Sequence, residues 1–473
     1  MRRLAFFSAF LVWLITTPLF AQPPVFRAGA ATSNITPPLG HPIVGGFVPY
    51  PATHVQDELH VRCLVLDDGK TKLAFVVCDL LGIDRQVSDE ARALIQEGLG
   101  IPKENVLISA THTHSAASAL GKDARIISDT MDDYQRFVAR RIVDGVKRAH
   151  NLLRPAQIAF GQADAPEHVF NRRWHMKPGT IPANPFGGID KVKMNPPAGS
   201  ADLLEPAGPT DPAIPFLYLR QPDGKPIALF STYSLHYVGG VGSGHISADY
   251  FAMYCEAIER LLKADRQTPA FVAMMANGTS GDINNINFKK PRPKQEAYAQ
   301  MKHVADDVAQ KVYAATAKLQ WRDHVALAAR YQELPIVTRR PSEELLTWAN
   351  KILIDRPKSA KADLPAIYAE RTLRMSRHPE KLKLPLQAFR IGDVALGSMP
   401  CEIFCEIGLD FKKRSAVQPA WLVSLNHGYY GYLPSPRHHE LGGYETWLGT
   451  NRLEVQASDK MLAALVDMVK DMR

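Results

Sequence analysis

Between residues 72 and 109 an apolar run, a helical periodicity and a second apolar run follow one another, and that order leaves few architectures open. Residues 60–66 and 72–78 read as strands split by the turn Asp67-Asp68-Gly69. Residues 87–99 then space their apolar side chains at helical intervals, and residues 105–109 read as a further buried strand. Strand, helix and strand in that order argue for an α/β fold, a mixed β-sheet core flanked by helices. Further strands are expected at 226–231, 270–275 and 394–399. Helices are expected at 132–153, 250–263, 294–319, 342–354 and 456–472. Residues 166–212 are dominated by Pro, Gly and Asn with little periodicity, as in a substrate loop or a disordered insertion. No internal repeat and no domain boundary stand out, so one large catalytic domain over residues 22–473 is the simplest account.

The strand at 105–109 runs into Thr111-His112-Thr113-His114-Ser115. In an extended backbone, residues two apart point to the same face, so both imidazoles look into one pocket at a strand end. One can bind a metal there while the other moves protons. Ordinary polar residues at a strand end produce the same spacing, so the pair needs partners from elsewhere in the chain. The Asp-His that a metallo-β-lactamase pattern requires shortly afterwards is replaced by Ser115-Ala116-Ala117-Ser118.

Residues 1–21 combine Arg2 and Arg3, an apolar stretch over 4–15 and a run ending in Ala21, which is the layout of a secretory signal peptide. The apolar stretch is shorter than the ~20 residues that span a bilayer, so cleavage and a secreted or periplasmic protein are expected rather than an anchor. The formal charge is +8, or +6 once Arg2 and Arg3 are removed, and Lys and Arg are dispersed, so nucleic acid is not an expected partner. Five cysteines form no dense framework, and Cys63 and Cys78 lie in apolar runs as buried thiols would.

Eight short segments of the chain form an ordered set. They are Gly29-Ala-Ala-Thr-Ser-Asn-Ile-Thr-Pro37, Asn105-Val-Leu-Ile-Ser-Ala-Thr-His-Thr-His-Ser115, Phe170-Asn171-Arg172 and Ser231-Thr-Tyr-Ser-Leu-His236. Ser280-Gly-Asp282, Met399-Pro-Cys-Glu402, Gly431-Tyr432 and Tyr444-Glu445 complete the set, which resembles, in order, the catalytic domain of the neutral/alkaline (non-lysosomal) ceramidase family. The resemblance covers residues 29 to about 448 and stops where relatives continue into an immunoglobulin-like C-terminal domain, so that domain is expected to be lacking.

The resemblance implies a zinc site on His112, His236, Glu402 and Tyr432: two nitrogens, a carboxylate and a phenol oxygen. It implies His114 as general acid/base, with Arg172 and Tyr444 as donors to a developing oxyanion. Arg173, adjacent, leaves the arginine open by one position, whereas the twelve-residue gap from Tyr432 to Tyr444 equals the family's spacing. The implied reaction is hydrolysis of an N-acyl amide bond in a sphingolipid-like substrate by zinc-activated water, with transient contact at a membrane surface. Asn284 stands where ceramidases carry a serine, in Gly281-Asp-Ile-Asn-Asn285, and Cys401 replaces a glycine. Asn284 therefore enters as a substrate-binding residue that cannot be a nucleophile. It leaves room for a polar or carbohydrate-derived substrate stacking on Trp447 or Trp174, or for a non-catalytic lipid- or glycan-binding relative. The residues leave the oligomeric state open.

Overall fold

The computed structural model describes residues 25–46, 48–120, 130–356 and 363–472; the expected signal peptide lies outside them. Twelve strands carry the fold, in three groups of four. The first group is β1 (Arg27–Asn34), β2 (His60–Asp67), β3 (Lys72–Cys78) and β4 (Val106–Ala110). Hairpins make β1, β2 and β3 successively antiparallel, and α1 (Arg85–Leu99) crosses over so that β4 pairs parallel to β3. Asp84 caps α1 by accepting from the Gln86 amide, and Gly100 closes it in the left-handed conformation. A further helix, α2 (Asp133–Asn151), opens on a capping box between Asp132 and Gln135.

The same order recurs twice. Strands β5 (Gln157–Asp164), β6 (Ala213–Arg220) and β7 (Pro226–Tyr233) are antiparallel neighbours; α3 (Asp249–Leu261) leads to the parallel β8 (Val272–Asn277), and α4 (Ala299–Ala315) follows. Strands β9 (Leu327–Val337), β10 (Lys381–Ile391) and β11 (Val394–Ser398) repeat the antiparallel run, with helices α5 (Glu343–Asp355) and α6 (Leu364–Met375) between β9 and β10. Helix α7 (Cys405–Arg414) crosses to the parallel β12 (Ala420–Val423), and α8 (Pro436–Leu441) and α9 (Ala457–Lys470) follow. The expectation of no internal repeat is thus corrected at the level of topology: three ββ-βαβ-α units share a strand order.

The packing explains why the strand segments read as near-continuous apolar runs: each sheet is covered on both faces. One face of each sheet meets the other two in a common core, where Phe75 of β3 lies 5.5 Å from Phe230 of β7 and 5.0 Å from Phe389 of β10, centroid to centroid. Each such ring contributes about 1.5–3 kcal/mol by burial. The alternate residues face outward onto helices. Val61 and Cys63 of β2 meet α1 and α2, Ala273 and Met275 of β8 meet α3 and α4, and Leu386 and Ala388 of β10 meet α7 and α9. All five cysteines are buried free thiols. Among the described residues no helix is long and apolar enough to cross a membrane.

Because β4, β8 and β12 are the last strands of their units, their carboxyl ends come together. The Asn277 amide donates to the Thr111 carbonyl (2.9 Å), the Ser424 N–H to the Asn277 carbonyl (2.9 Å) and the Ala110 N–H to the Leu425 carbonyl (3.3 Å). The connection between first and second strand of every unit lies at this same end. The expected substrate loop at 166–212 is the one in the second unit. It is folded rather than disordered, with a small sheet of Arg173–Met176, Val192–Met194 and Leu203–Pro206.

Candidate metal centre and its cavity

The three carboxyl ends bring together side chains that lie far apart in the chain. Thr111 and His112 continue from β4, their amides bonded to the carbonyls of Cys78 and Leu80. His112 sits at φ 69°, a left-handed conformation that costs a side-chain-bearing residue about 1–2 kcal/mol. Such strain persists where the surroundings over-determine it, and it clusters at functional sites. His236 follows β7, and the next residues are fastened by Asp249, whose carboxylate accepts from the Val238 and Gly239 amides at 2.9 Å each. Glu402 follows β11 and pairs in register with Tyr432 in a two-residue parallel ladder, so the two side chains share a face.

His112 Nδ1 lies 2.7 Å from the Leu81 carbonyl and His236 Nδ1 3.1 Å from the Ser280 carbonyl. Each ring therefore holds its proton on Nδ1 and presents an Nε2 lone pair inward. Glu402 Oε2 lies 3.2 Å from His112 Nε2 and 3.8 Å from His236 Nε2. Glu402 Oε2 and His236 Nε2 are buried without a hydrogen-bond partner. Two of these three converging atoms are thus buried without a partner, an arrangement suited to a cation. Tyr429 donates to the other carboxylate oxygen at 2.7 Å and fixes its rotamer. Burial would raise the Glu402 carboxyl, but His112, Tyr429 and Arg172 outweigh it and hold it below its ordinary value.

His114 Nε2 lies 3.2 Å from His112 Nε2, and the ring stacks on Tyr237 with centroids 3.8 Å apart. The nitrogens of His112, His114 and His236 all lie within 4.8 Å of one another. Burial, then His112 and Arg172, push His114 well below the ordinary imidazole range, so it is neutral at pH 7.

Arg172 and Arg173 differ in packing. Arg173 is fully buried and turned away, donating to Glu445 Oε2 at 2.6 Å and to the Gly442 carbonyl at 2.6 Å. Arg172 donates through Nε to Glu445 Oε1 at 2.9 Å and lies 5.3 Å from the centre of the Tyr432 ring. Its Nη2 is buried without a hydrogen-bond partner. Asp282 holds this loop in place: its carbonyl accepts from the Arg172 amide (2.8 Å), and its carboxylate from Asn171 (2.7 Å) and the Cys405 amide (2.8 Å). Gly281 beside it packs so closely that a Cβ would come within 2.6 Å of the Glu402 carbonyl oxygen.

A cavity of about 380 Å³ opens onto this cluster, lined among others by His112, His114, Glu402, Tyr432 and Tyr444. Tyr444 stands 5.9 Å from Tyr432, ring to ring. Asn284 is not among the lining residues; it sits in the short ladder with Phe170 and donates to Asn195 at 3.2 Å. Neither tryptophan lines the cavity. Trp174 is buried against Phe288, which corrects its expected role as a stacking platform, and the Trp447 indole N–H is engaged by Asp190 at 2.9 Å. Sequence reasoning missed Tyr429, though the run Gly428-Tyr-Tyr-Gly-Tyr432 signalled it, and also Tyr237, Glu445 as an arginine clamp, and Arg371, Arg374 and Arg452, which also line the cavity.

The family model for neutral/alkaline non-lysosomal ceramidases, N-terminal region, matches residues 26–330. A solved ceramidase complexed with C2 is similar in fold at a TM-score of 0.69 and 16% identity, over 95% of this chain and 75% of that one. The neutral ceramidase of Pseudomonas aeruginosa gives a TM-score of 0.67 at 18% identity, over 95% and 74%.

Proposed function

This chain belongs to the neutral/alkaline non-lysosomal ceramidase family, and from that premise we propose that it is an exported, zinc-dependent hydrolase that cleaves an N-acyl amide bond. The observation that carries the reading is the inward-facing acceptor set of His112 Nε2, His236 Nε2 and Glu402 Oε2, two of them buried without a partner. Nitrogen and carboxylate donors in a buried cluster that opens on a cavity suit a catalytic zinc site, with Tyr432 as the fourth ligand. Export rests on the signal-peptide layout of residues 1–21.

Zinc held there supplies Lewis acidity, making water nucleophilic near neutral pH and polarising the scissile carbonyl. The carbonyls of Leu81 and Ser280 fix the ring orientation of His112 and His236. Tyr429 does the same for Glu402. Neutral His114 accepts a proton from the attacking water and returns it to the leaving nitrogen. Arg172, through its unpartnered Nη2, and Tyr444 donate to the oxygen on which negative charge develops. Glu445 and Asp282 keep Arg172 aimed into the site.

The test is fatty-acid release from an N-acylsphingosine and from simpler N-acyl amides, before and after chelation. The expected result is release that disappears with the chelator and returns with zinc. Absence of release from every amide, or release indifferent to chelation, overturns the reading.

A further inference from the structure

His114 stands where two roles compete. Its Nε2 lies 3.2 Å from His112 Nε2, and nitrogens of His112, His114 and His236 all lie within 4.8 Å of one another. Three imidazoles are themselves a common set of zinc ligands. A His114 ring that turned toward the cation would bind it through the lone pair that hydrolysis needs for proton transfer. Ring orientation therefore decides between a proton carrier and a third nitrogen ligand.

His112 and His236 meet the His114 ring at steep interplanar angles of 82° and 60°, with centroids 4.8 and 5.5 Å away. Tyr237 instead covers its face: the two rings are 13° from parallel and their centroids 3.8 Å apart. The Gly45 backbone packs against the same side chain so closely that a Cβ there would lie 2.8 Å from that of His114, and the ring hydrogen-bonds to this backbone. Both segments are fastened. The Thr113 hydroxyl donates to the Ser247 carbonyl (2.9 Å), the Ser247 amide to the Ser115 carbonyl (2.7 Å) and the Val44 amide to the Ala116 carbonyl (3.1 Å). Behind Tyr237, the Asn285 side chain donates to the Val238 carbonyl (3.1 Å), and Asp249 accepts from the Val238 and Gly239 amides (2.9 Å each). Tyr237 is thus a fixed surface against which the imidazole lies flat.

We propose that Tyr237 is the positioning residue of His114: its ring fixes the imidazole plane and keeps His114 a proton carrier instead of a third nitrogen ligand. Tyr237 acts through His114 and touches no reacting atom. The inference rests on the amide-hydrolase reading, with its metal on His112, His236, Glu402 and Tyr432, and adds the residue that keeps the base apart from the ligands.

The experiment counts bound imidazoles and measures turnover in Tyr237→Leu and Tyr237→Phe. In cobalt-substituted protein each bound imidazole contributes one exchangeable, hyperfine-shifted ring N–H proton resonance. Two are expected for the wild type and for Tyr237→Phe, and three for Tyr237→Leu. With zinc loaded, kcat on an N-acyl amide should fall about 10²-fold in Tyr237→Leu while KM hardly moves. Tyr237→Phe keeps the ring and loses only the hydroxyl, so it should stay within about threefold of the wild type. On a His114→Ala background, Tyr237→Leu should cost nothing further. Tyr237→Met carries the same expectations if Tyr237→Leu does not fold. Three resonances in the wild type, only two in Tyr237→Leu, an unchanged kcat in that variant, or a Tyr237→Phe protein as slow as Tyr237→Leu overturns the inference while sparing the amide-hydrolase reading. If no amide is cleaved, the amide reading fails and the resonance count still decides the inference. A wild type that takes up no cobalt overturns both.

Discussion

Glu445→Gln removes one charge from a buried trio with almost no change in shape. Glu445 is fully buried and its two oxygens are taken by Arg172 Nε (2.9 Å) and Arg173 Nη1 (2.6 Å), whose side chains are 5% exposed or less. Burial alone would raise the Glu445 carboxyl, yet Arg173 and then Arg172 hold it below its ordinary value. A glutamine keeps one acceptor and turns the other position into a donor that opposes a guanidinium. Each charge-assisted hydrogen bond is worth about 1.5–3 kcal/mol, and stripping the partner from a buried charge costs about 3–5 kcal/mol. A loss of about 3–5 kcal/mol in denaturant or thermal unfolding is therefore expected. The double variant Glu445→Gln/Arg173→Met should recover at least about 1 kcal/mol of it by removing the uncompensated cation. Activity should fall further than folding accounts for, because Arg172 loses its aim. A Glu445→Gln protein within about 1 kcal/mol of wild type, or a double variant less stable than the single one, refutes the reasoning.

Three other outcomes follow from the same geometry. Arg172→Met should slow amide hydrolysis about 10²–10³-fold through kcat while metal content is retained; loss of metal instead would give Arg172 a different role. Gly281→Ala pushes a Cβ to within 2.6 Å of the Glu402 carbonyl oxygen, so zinc affinity should fall by about tenfold, and unchanged affinity would show that the loop yields freely. Glu406 is held down at about 2 against an ordinary 4.5, its burial being outweighed by His438, Ser435 and Arg437. A carboxyl lowered on folding stabilises above its unfolded value and loses that contribution as pH falls from about 4.5 toward 2, here about 3 kcal/mol. The acid limb of the unfolding curve should flatten in Glu406→Gln; an unaltered limb contradicts this.

The strands next to the site were legible because each is apolar on both faces, and residues 72–78 were read to their exact bounds. The pair β9 and β10 was not, since the outer half of β9 is largely solvent-facing and Pro335 and Pro385 interrupt the pattern. Helix α6 escaped as well, although Asp363 as N-cap with Pro365 in the first turn is a readable start. The threefold repetition was invisible because it resides in strand order. Each unit solves its own packing with different side chains, and the connections before the second strand differ in length. His112, His236, Glu402 and Tyr432 were nameable from short motifs, but their convergence depends on hydrogen bonds between the ends of β4, β8 and β12, which no local pattern encodes. Arg371, Arg374 and Arg452 of the cavity lining had no motif at all, because they come from a helix and a loop some 80 residues apart.

Metal analysis of the purified chain bears most directly on the central claim. Zinc stoichiometry should be close to one per wild-type chain and should fall to background in His112→Ala/His236→Ala, whose circular dichroism stays that of the wild type. A folded wild-type protein that takes up no divalent ion from zinc-containing buffer, or a double variant that still holds one zinc per chain, would contradict the account.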